Sequence, residues 1–153
     1  MYLGRVKWLP CGRLTAQIIN RTQSELTLLR FDLSAPLGSP TGYGNKVGGQ
    51  VLLREVRETA WINVHNILVP LSGDGDAEGG FIWASERSGF RHLYHYDGAS
   101  PANLVAQLTE GEWMVEDLTE QMVDEAAGVL HCTATKDSPL ECHLYLLRGG
   151  MMY

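Results

Sequence analysis

A stretch near the middle of the chain has the clearest arrangement of apolar and polar positions, and it predicts a β-hairpin. Residues Phe81–Ser85 are apolar and aromatic, which is typical of a strand packed between two layers. Residues 86–89 are polar and include a glycine, so they should form the turn. Side chains in His92–Tyr96 should alternate between two faces, with Leu93 and His95 on the same face.

Similar strand-like segments precede and follow this hairpin. They lie at residues 2–8, 14–20, 25–33, 50–55, 62–70, 103–108, 114–122, 128–134 and 142–147. Two segments rich in glycine or proline, 34–49 and 72–79, predict surface loops. Helix should be nearly absent, because only residues 119–127 have a composition that permits a short helical turn. No further strand is predicted after residue 147.

Internal repetition is the strongest signal in the sequence. Trp8, Trp61 and Trp113 recur about every fifty residues. The tripeptide at residues 92–94, His-Leu-Tyr, returns at residues 143–145. A period near fifty with four short strands per period is typical of the blades of a β-propeller. A β-sandwich in which the spacing arises by chance is the alternative.

The predicted fold class is therefore all-β. The chain should form about three consecutive four-stranded antiparallel blades of a β-propeller, of which the last is incomplete. The expected blades span about residues 1–58, 61–108 and 113–153.

Composition and charge narrow the functional classes. Hydrophobic residues make up 44% of the chain and charged residues 20%, as in ordinary globular proteins. The net charge of −6 argues against nucleic acid or an anionic membrane as the main partner. No apolar run is long enough to predict a transmembrane helix. The three cysteines form no tight cluster, which favours reduced thiols and an intracellular setting.

Two motifs carry a resemblance to a known family. Residues 81–94 read FIWASERSGFRHLY, and residues 108–115 read LTEGEWMV. Together they resemble the N-terminal propeller of the dipeptidyl peptidase IV family. The segments WINVH at 61–65 and TKDSPLECHLY at 135–145 are most similar to the cytosolic branch, the relatives of dipeptidyl peptidases eight and nine. The resemblance extends over residues 2–147.

The resemblance implies a function that depends on more than this chain. Members of the family join their propeller to an α/β-hydrolase domain, which removes N-terminal dipeptides with proline or alanine in second place. The sequence contains no G-x-S-x-G motif and no candidates for a Ser-Asp-His triad. We therefore expect a fragment of a serine-type dipeptidyl peptidase: a non-catalytic propeller segment, inactive alone, that gates the access of substrates. A free-standing β-repeat module that binds protein is the alternative.

The same resemblance implies the setting and the partners. It places the chain in the cytoplasm, with no cofactor and no metal. The expected partners are the missing hydrolase domain, the remaining propeller blades and the peptide substrates of the whole enzyme, and neither nucleic acid nor a membrane is expected.

His65 is the candidate site residue, and Asn66 is its neighbour. By the resemblance, His65 lies in an inner-strand loop that reaches toward the substrate channel and contacts residues of the peptide beyond the S1 pocket. The alternative is a partly exposed loop histidine without that role, and the sequence leaves both interpretations open.

Other groups of metal-binding or nucleophilic residues are better explained by packing. His131-Cys132 and Cys142-His143 suggest zinc, but neighbouring strand residues point to opposite faces and cannot easily reach one ion. A turn centred near Asp137 would pair Cys132 with Cys142, so a disulfide can form, although it would not persist in a reducing compartment. The acidic segment around Asp74 and Asp76 lacks the full calcium-loop pattern and predicts a solvated surface loop.

The three repeated tryptophans can be interpreted in two ways. A stacking platform for nucleic acid or sugars is one, but the negative charge opposes nucleic acid. Packing in the core between repeats is favoured, because the tryptophans occur once per repeat. An incomplete ring should also leave two apolar sheet faces uncovered, and the residues expected on them are Val6, Ile18, Val115 and Leu130.

Overall fold

The computed structural model describes residues 1–33, 48–73, 79–149 and 151–152, and within them the chain is almost entirely β. In chain order the strands are β1 Tyr2–Trp8, β2 Leu14–Ile19, β3 Glu25–Phe31, β4 Gln50–Val56, β5 Leu68–Pro70, β6 Phe81–Ser85, β7 His92–Tyr96, β8 Leu104–Gln107, β9 Val115–Asp117, β10 Val123–Asp124, β11 Val129–Ala134, β12 His143–Arg148 and β13 Met151–Met152. The one helix in these residues is a 3₁₀ turn at Glu120–Met122, within the stretch whose composition permits one. Most of both predicted loops, including Asp74 and Asp76, lies outside the described residues.

The strands form three antiparallel sheets, and in the first two each strand pairs with the next along the chain. The first has the order β1-β2-β3-β4 and the second β5-β6-β7-β8. In the third, β9 and β10 pair with opposite ends of β11, and β12 and β13 follow. The third sheet thus has four positions, the first of which two short strands share. This meander confirms the prediction of an all-β chain built from four-stranded antiparallel sheets with the connectivity of propeller blades.

The end of the third sheet differs in detail from the expectation. The sequence predicts no strand after residue 147, yet Met151 and Met152 pair antiparallel with Arg148 and Leu147. A positive φ of 58° at Gly149 forms the turn between the two strands, a backbone conformation that glycine adopts readily. The fourth position of this sheet is therefore filled, but over two residue pairs only.

The described residues divide into two compact units. Residues Met1–His65 form the first and carry the first sheet, and Asn66–Tyr153 form the second and carry the other two sheets. In the part of the chain that the structure describes, no helix has the length and apolar composition needed to cross a membrane.

One apolar core joins the two sheets of the second unit. Its buried members are Ile67, Val69, Ile82, Ala84, Leu93, Val115, Leu118, Leu130, Cys132, Ala134, Tyr145 and Leu147. Alternation explains the contribution of β11, since Leu130, Cys132 and Ala134 point to one face and His131 to the other. Burial of this kind gains about 25 cal/mol per Å² of apolar surface and is the main force holding these sheets together.

Two of the four residues expected on uncovered sheet faces are in fact part of this core. Val115 and Leu130 are buried between the two sheets, because their faces of β9 and β11 look toward the second sheet and not away from it. The exposed apolar side chain of β12 is Leu144, at 64%. In the first unit Val6 is exposed as predicted, whereas Ile18 is half-buried.

The predicted hairpin forms with the bounds expected from its sequence. All five residues of β6 are buried, and Trp83 is completely enclosed. The aromatic rings of Phe81 and Tyr96 stack with their centroids 5.3 Å apart. In β7 both faces are largely covered, and His95 alone is half-buried.

The prediction that the three repeated tryptophans pack in the core is wrong for two of them. Trp8 is 61% exposed on the edge strand β1, and Trp61 is 74% exposed outside any strand. Trp113 is half-buried against the core of the second unit. Trp83, which does not belong to the periodic set, is the deeply buried tryptophan. The period therefore marks where each repeat begins and says little about burial.

The predicted pairing of Cys132 with Cys142 is also wrong. The register of β11 and β12 places Cys132 opposite Tyr145. Cys142 precedes the first residue of β12 and is not opposite Cys132. The turn is centred further along the chain than Asp137, because residues 135–142 form the whole connection. All three cysteines are free thiols, and burial raises the pKa of Cys132 to about 11.

We predict that Trp83→Ala lowers the free energy of unfolding by about 3–5 kcal/mol, because it empties a large volume in the middle of the hairpin. Trp61→Ala is the matched control and should change it by about 0.5 kcal/mol or less, since that side chain already lies in water. Urea unfolding followed by circular dichroism measures both values. Equal losses for the two variants would contradict the burial described above.

Candidate functional site

The segment that carries His65 is anchored to the first sheet. The backbone N–H of Ile62 donates to the carbonyl of Gln23 at 2.7 Å, and the side chain of Ile62 is buried. Three residues later, the side-chain amide Nε2 of Gln17 donates to the carbonyl of His65 at 3.1 Å. The segment is therefore held at both ends within the first unit, and His65 is not at the tip of a free loop.

A glycine in β1 allows this segment to lie close to the sheet. Gly4 sits at a register shift between Leu3 and Arg5, where β1 departs from regular pairing with β2. A Cβ atom at Gly4 would lie 3.1 Å from Cγ1 of Val64 and 3.4 Å from the carbonyl oxygen of Gln17. A larger residue would therefore push Val64, and with it the neighbouring His65, away from the strand.

His65 and Asn66 differ in their surroundings. His65 is half-buried, and Nδ1 of its imidazole is shielded from solvent. Asn66 is exposed, and its carbonyl accepts a hydrogen bond of 2.9 Å from the N–H of Leu68 at the start of β5. His65 ends the first compact unit and Asn66 begins the second. Their role in a substrate channel stays a prediction.

A second group of residues explains the two sequence motifs. The imidazole of His92 is buried and hydrogen-bonds through Nδ1 to Oγ1 of Thr109 at 3.1 Å and through Nε2 to the carbonyl of Gly111 at 2.9 Å. Oγ1 of Thr109 also accepts from the N–H of Leu93 at 2.9 Å. We call His92, Thr109 and Gly111 the latch, because they tie β7 to the segment that leads into the third sheet.

Of the two neutral tautomers of the His92 imidazole, the hydrogen-bond donors and acceptors in the latch fit one. A carbonyl only accepts, so Nε2 of His92 must carry the proton that it donates to Gly111. In that tautomer Nδ1 is an acceptor, and the hydroxyl of Thr109 donates to it. Thr109 uses its hydroxyl both as donor and as acceptor, so each buried polar atom of this group has a partner.

Gly111 and Trp113 complete the second motif. Gly111 has a φ of 127°, and a Cβ there would lie 2.4 Å from Nε1 of Trp113, so no other residue fits without displacement. The ring of Trp113 meets that of His92 edge-to-face at 4.9 Å. The resemblance of residues 108–115 to the family therefore has a physical basis in the contacts between this motif and the hairpin.

The turn of the hairpin is held by Arg87. Its guanidinium lies 4.3 Å from the centre of the Tyr94 ring, donates through Nη2 to the hydroxyl of Tyr96 at 2.6 Å, and donates through Nε to Oγ of Ser85 at 3.0 Å. The third sheet repeats the arrangement in weaker form, with Nζ of Lys136 5.9 Å from the centre of the Tyr145 ring. These contacts stabilise the hairpins and offer no reactive group.

Arg91 connects the hairpin to β9. It forms ion pairs with Glu86 at 3.5 Å and with Glu116 at 3.9 Å, and its carbonyl accepts from the N–H of Val115 at 2.8 Å. Partly exposed ion pairs contribute little stability, so their effect is mainly to orient the two segments. In the described residues no three His, Cys, Asp or Glu side chains are grouped so that they could hold a metal ion.

Neither Gln17 nor Gly4 belongs to a motif that points to a site. Both carry a signal in retrospect: a glycine inside a strand often marks a bulge, and Gln17 is a polar residue in an otherwise apolar strand. The latch was present in the motifs, but its hydrogen bonds join residues that are 16 to 19 positions apart.

We predict that Thr109→Val lowers the free energy of unfolding by about 1–3 kcal/mol, because it keeps the shape but leaves the N–H of Leu93 and Nδ1 of His92 without partners. Thr22→Val is the control, since Thr22 is exposed and its hydroxyl hydrogen-bonds to that of the half-buried Ser24. Chemical denaturation of the two variants tests this, and a Thr109→Val protein as stable as the wild type would show that the latch is dispensable.

Comparison with known proteins places these features in a family. The sequence profile described as "Dipeptidyl peptidase IV (DPP IV) N-terminal region" matches residues 1–149. Human dipeptidyl peptidase 8 is 27% identical over 95% of this chain, and the mouse protein of the same name is 28% identical over 95%. A probable dipeptidyl-aminopeptidase B of Aspergillus niger is 26% identical over 92% of the chain.

A solved structure shares the fold. It is that of a Bacteroides ovatus protein described as a dipeptidyl aminopeptidase IV, which matches 99% of this chain with a TM-score of 0.76 at 20% identity. The chain corresponds to 22% of that protein and to 20% of each mammalian relative, so it spans about a fifth of their length. With the family profile covering nearly every residue, the chain belongs to the family of the dipeptidyl peptidase IV N-terminal region.

Proposed function

We propose that this chain is a non-catalytic propeller segment of a cytoplasmic serine-type dipeptidyl peptidase, and that it restricts which peptides reach the hydrolase domain. The match of residues 1–149 to the family profile carries this proposal. The longer protein would release N-terminal dipeptides with proline or alanine in second place. The nucleophile and base would belong to the hydrolase domain, since the chain contains no G-x-S-x-G motif.

The proposed restriction is steric. A ring of rigid antiparallel sheets admits an extended peptide and excludes a folded domain. Within this chain, His65 is the proposed peptide contact, and its anchored backbone supports that role because a backbone that is already held in place loses less entropy when a ligand binds. Asn66, which is exposed, is proposed as a further contact.

The proposed partners are the remaining propeller blades and the hydrolase domain. Exposed apolar side chains on strands support this: Tyr2, Val6 and Trp8 on the edge strand β1, and Leu144 on β12. Large apolar side chains at a sheet edge or face are typical of surfaces that another element covers.

We predict that the purified chain does not cleave an Ala-Pro reporter peptide and that it self-associates in sedimentation velocity. No cleavage is expected if the nucleophile belongs to the hydrolase domain. Self-association is expected if the exposed strand residues are surfaces that the remaining blades cover. Turnover that co-purifies with the chain and is abolished by a serine-directed inhibitor would disprove the non-catalytic role.

A pair of leucine variants tests the surface itself. Leu144→Lys should reduce the self-association, because it places a charge on the exposed face of β12, where another chain would pack. Leu140→Lys should leave it unchanged, since Leu140 lies in the connection before that strand and is 93% exposed. A wild-type chain that is monomeric and binds no hydrophobic dye would favour the free-standing interaction module.

A further inference from the structure

A buried glutamine in the first unit is the strongest unassigned feature of the molecule. Gln17 lies in β2, between Arg5 of β1 and Leu28 of β3, and only 4% of it is exposed. Its amide Nε2 donates to the carbonyl of His65. A side chain from the interior of the sheet thus fixes the backbone of the residue that the proposed function makes a peptide contact.

The other end of the same amide is unsatisfied. Oε1 of Gln17 is buried and has no hydrogen-bond partner among the described residues. A buried acceptor without a partner lowers stability, and an apolar side chain of the same shape avoids that cost. The hydrogen bond that Nε2 of Gln17 donates therefore contributes more to the orientation of His65 than to the stability of the sheet.

Gly4 acts on the same segment from the neighbouring strand. The space above Gly4 is taken by Val64, the residue before His65, and a Cβ would meet Cγ1 of Val64 at 3.1 Å. Gln17 holds the carbonyl of His65, and Gly4 lets the chain approach closely enough for that hydrogen bond to form. Contacts from two strands thus define the backbone position of His65.

We propose that Gln17 is a positioning residue for peptide recognition, which acts by fixing His65, with Gly4 providing the necessary space. The proposal rests on the proposed function, because it gives His65 the role of a peptide contact. Side chains that recognise a ligand must be held within a fraction of an ångström, and a buried hydrogen bond to their own backbone is a direct way to hold them.

The test uses the whole chain labelled for NMR and a hexapeptide that begins with Ala-Pro. His65→Gln identifies the imidazole signals of His65 among the five histidines. In Gln17→Met, we expect those signals to move and the dissociation constant for the peptide to rise by roughly three- to tenfold, the equivalent of one hydrogen bond. The midpoint of thermal unfolding of Gln17→Met should not fall. If Gln17 only stabilised the sheet, that midpoint would fall.

Gln107→Met is the control for the loss of a glutamine that donates to a backbone carbonyl, here at an exposed position. Its amide Nε2 also donates to a backbone carbonyl, that of Thr109 at 2.9 Å, but it lies in the second unit. This variant should leave both the His65 signals and the peptide affinity unchanged. Gly4→Ala is the second variant should Gln17→Met fold poorly, and it should move the same His65 signals through the displacement of Val64.

The outcomes separate the two proposals. Unchanged His65 signals in both Gln17→Met and Gly4→Ala, or equal effects of Gln17→Met and Gln107→Met, would overturn the positioning role. If the wild-type chain and His65→Gln are alike in failing to bind the peptide, the proposed contact at His65 fails. The NMR comparison then still decides whether Gln17 fixes the backbone of that residue.

Discussion

The buried hydrogen bonds of His92 are the interaction on which the second unit most depends. They join a strand of the second sheet to the segment that begins the third, and they lie beside the apolar core that both sheets share. Apolar burial supplies most of the free energy but specifies no partner atom. The latch specifies the partner atoms, because Thr109 and Gly111 must lie at fixed distances from one imidazole ring.

The two His-Leu-Tyr repeats show how similar residues serve different surroundings. His92 is enclosed within the latch, whereas the ring of His143 is exposed and pairs with Glu141 at 3.2 Å. The tyrosines are more alike, since Tyr94 and Tyr145 are both buried and each lies near a cation from its own hairpin turn. Repetition in the sequence therefore preserves the hairpin more faithfully than it preserves the contacts of each side chain.

Strand positions could be predicted from the sequence because they depend on local composition. The bounds of β1, β6 and β7 agree with the prediction to the residue. The predicted segments 62–70 and 114–122 are much longer than the strands β5 and β9 that form within them, and β10 and β13 are not predicted. Exposure could not be predicted in the same way, since Trp8 and Trp61 share a spacing with Trp113 but not its neighbours. Register escaped prediction too, because a small shift in the turn separates Cys132 from Cys142. The anchoring of His65 by Gln17 spans 48 positions, and no local pattern reveals it.

The central claim is that the second and third sheets form one cooperative body around a shared core and latch. Native-state hydrogen exchange tests it most directly, by comparing the backbone amides of Ile82 and Tyr94 in the second sheet with those of Cys132 and Tyr145 in the third. The account predicts that all four exchange through the same opening, with equal free energies that fall together as denaturant is added. Full exchange of the third sheet under conditions in which the second stays protected would contradict it.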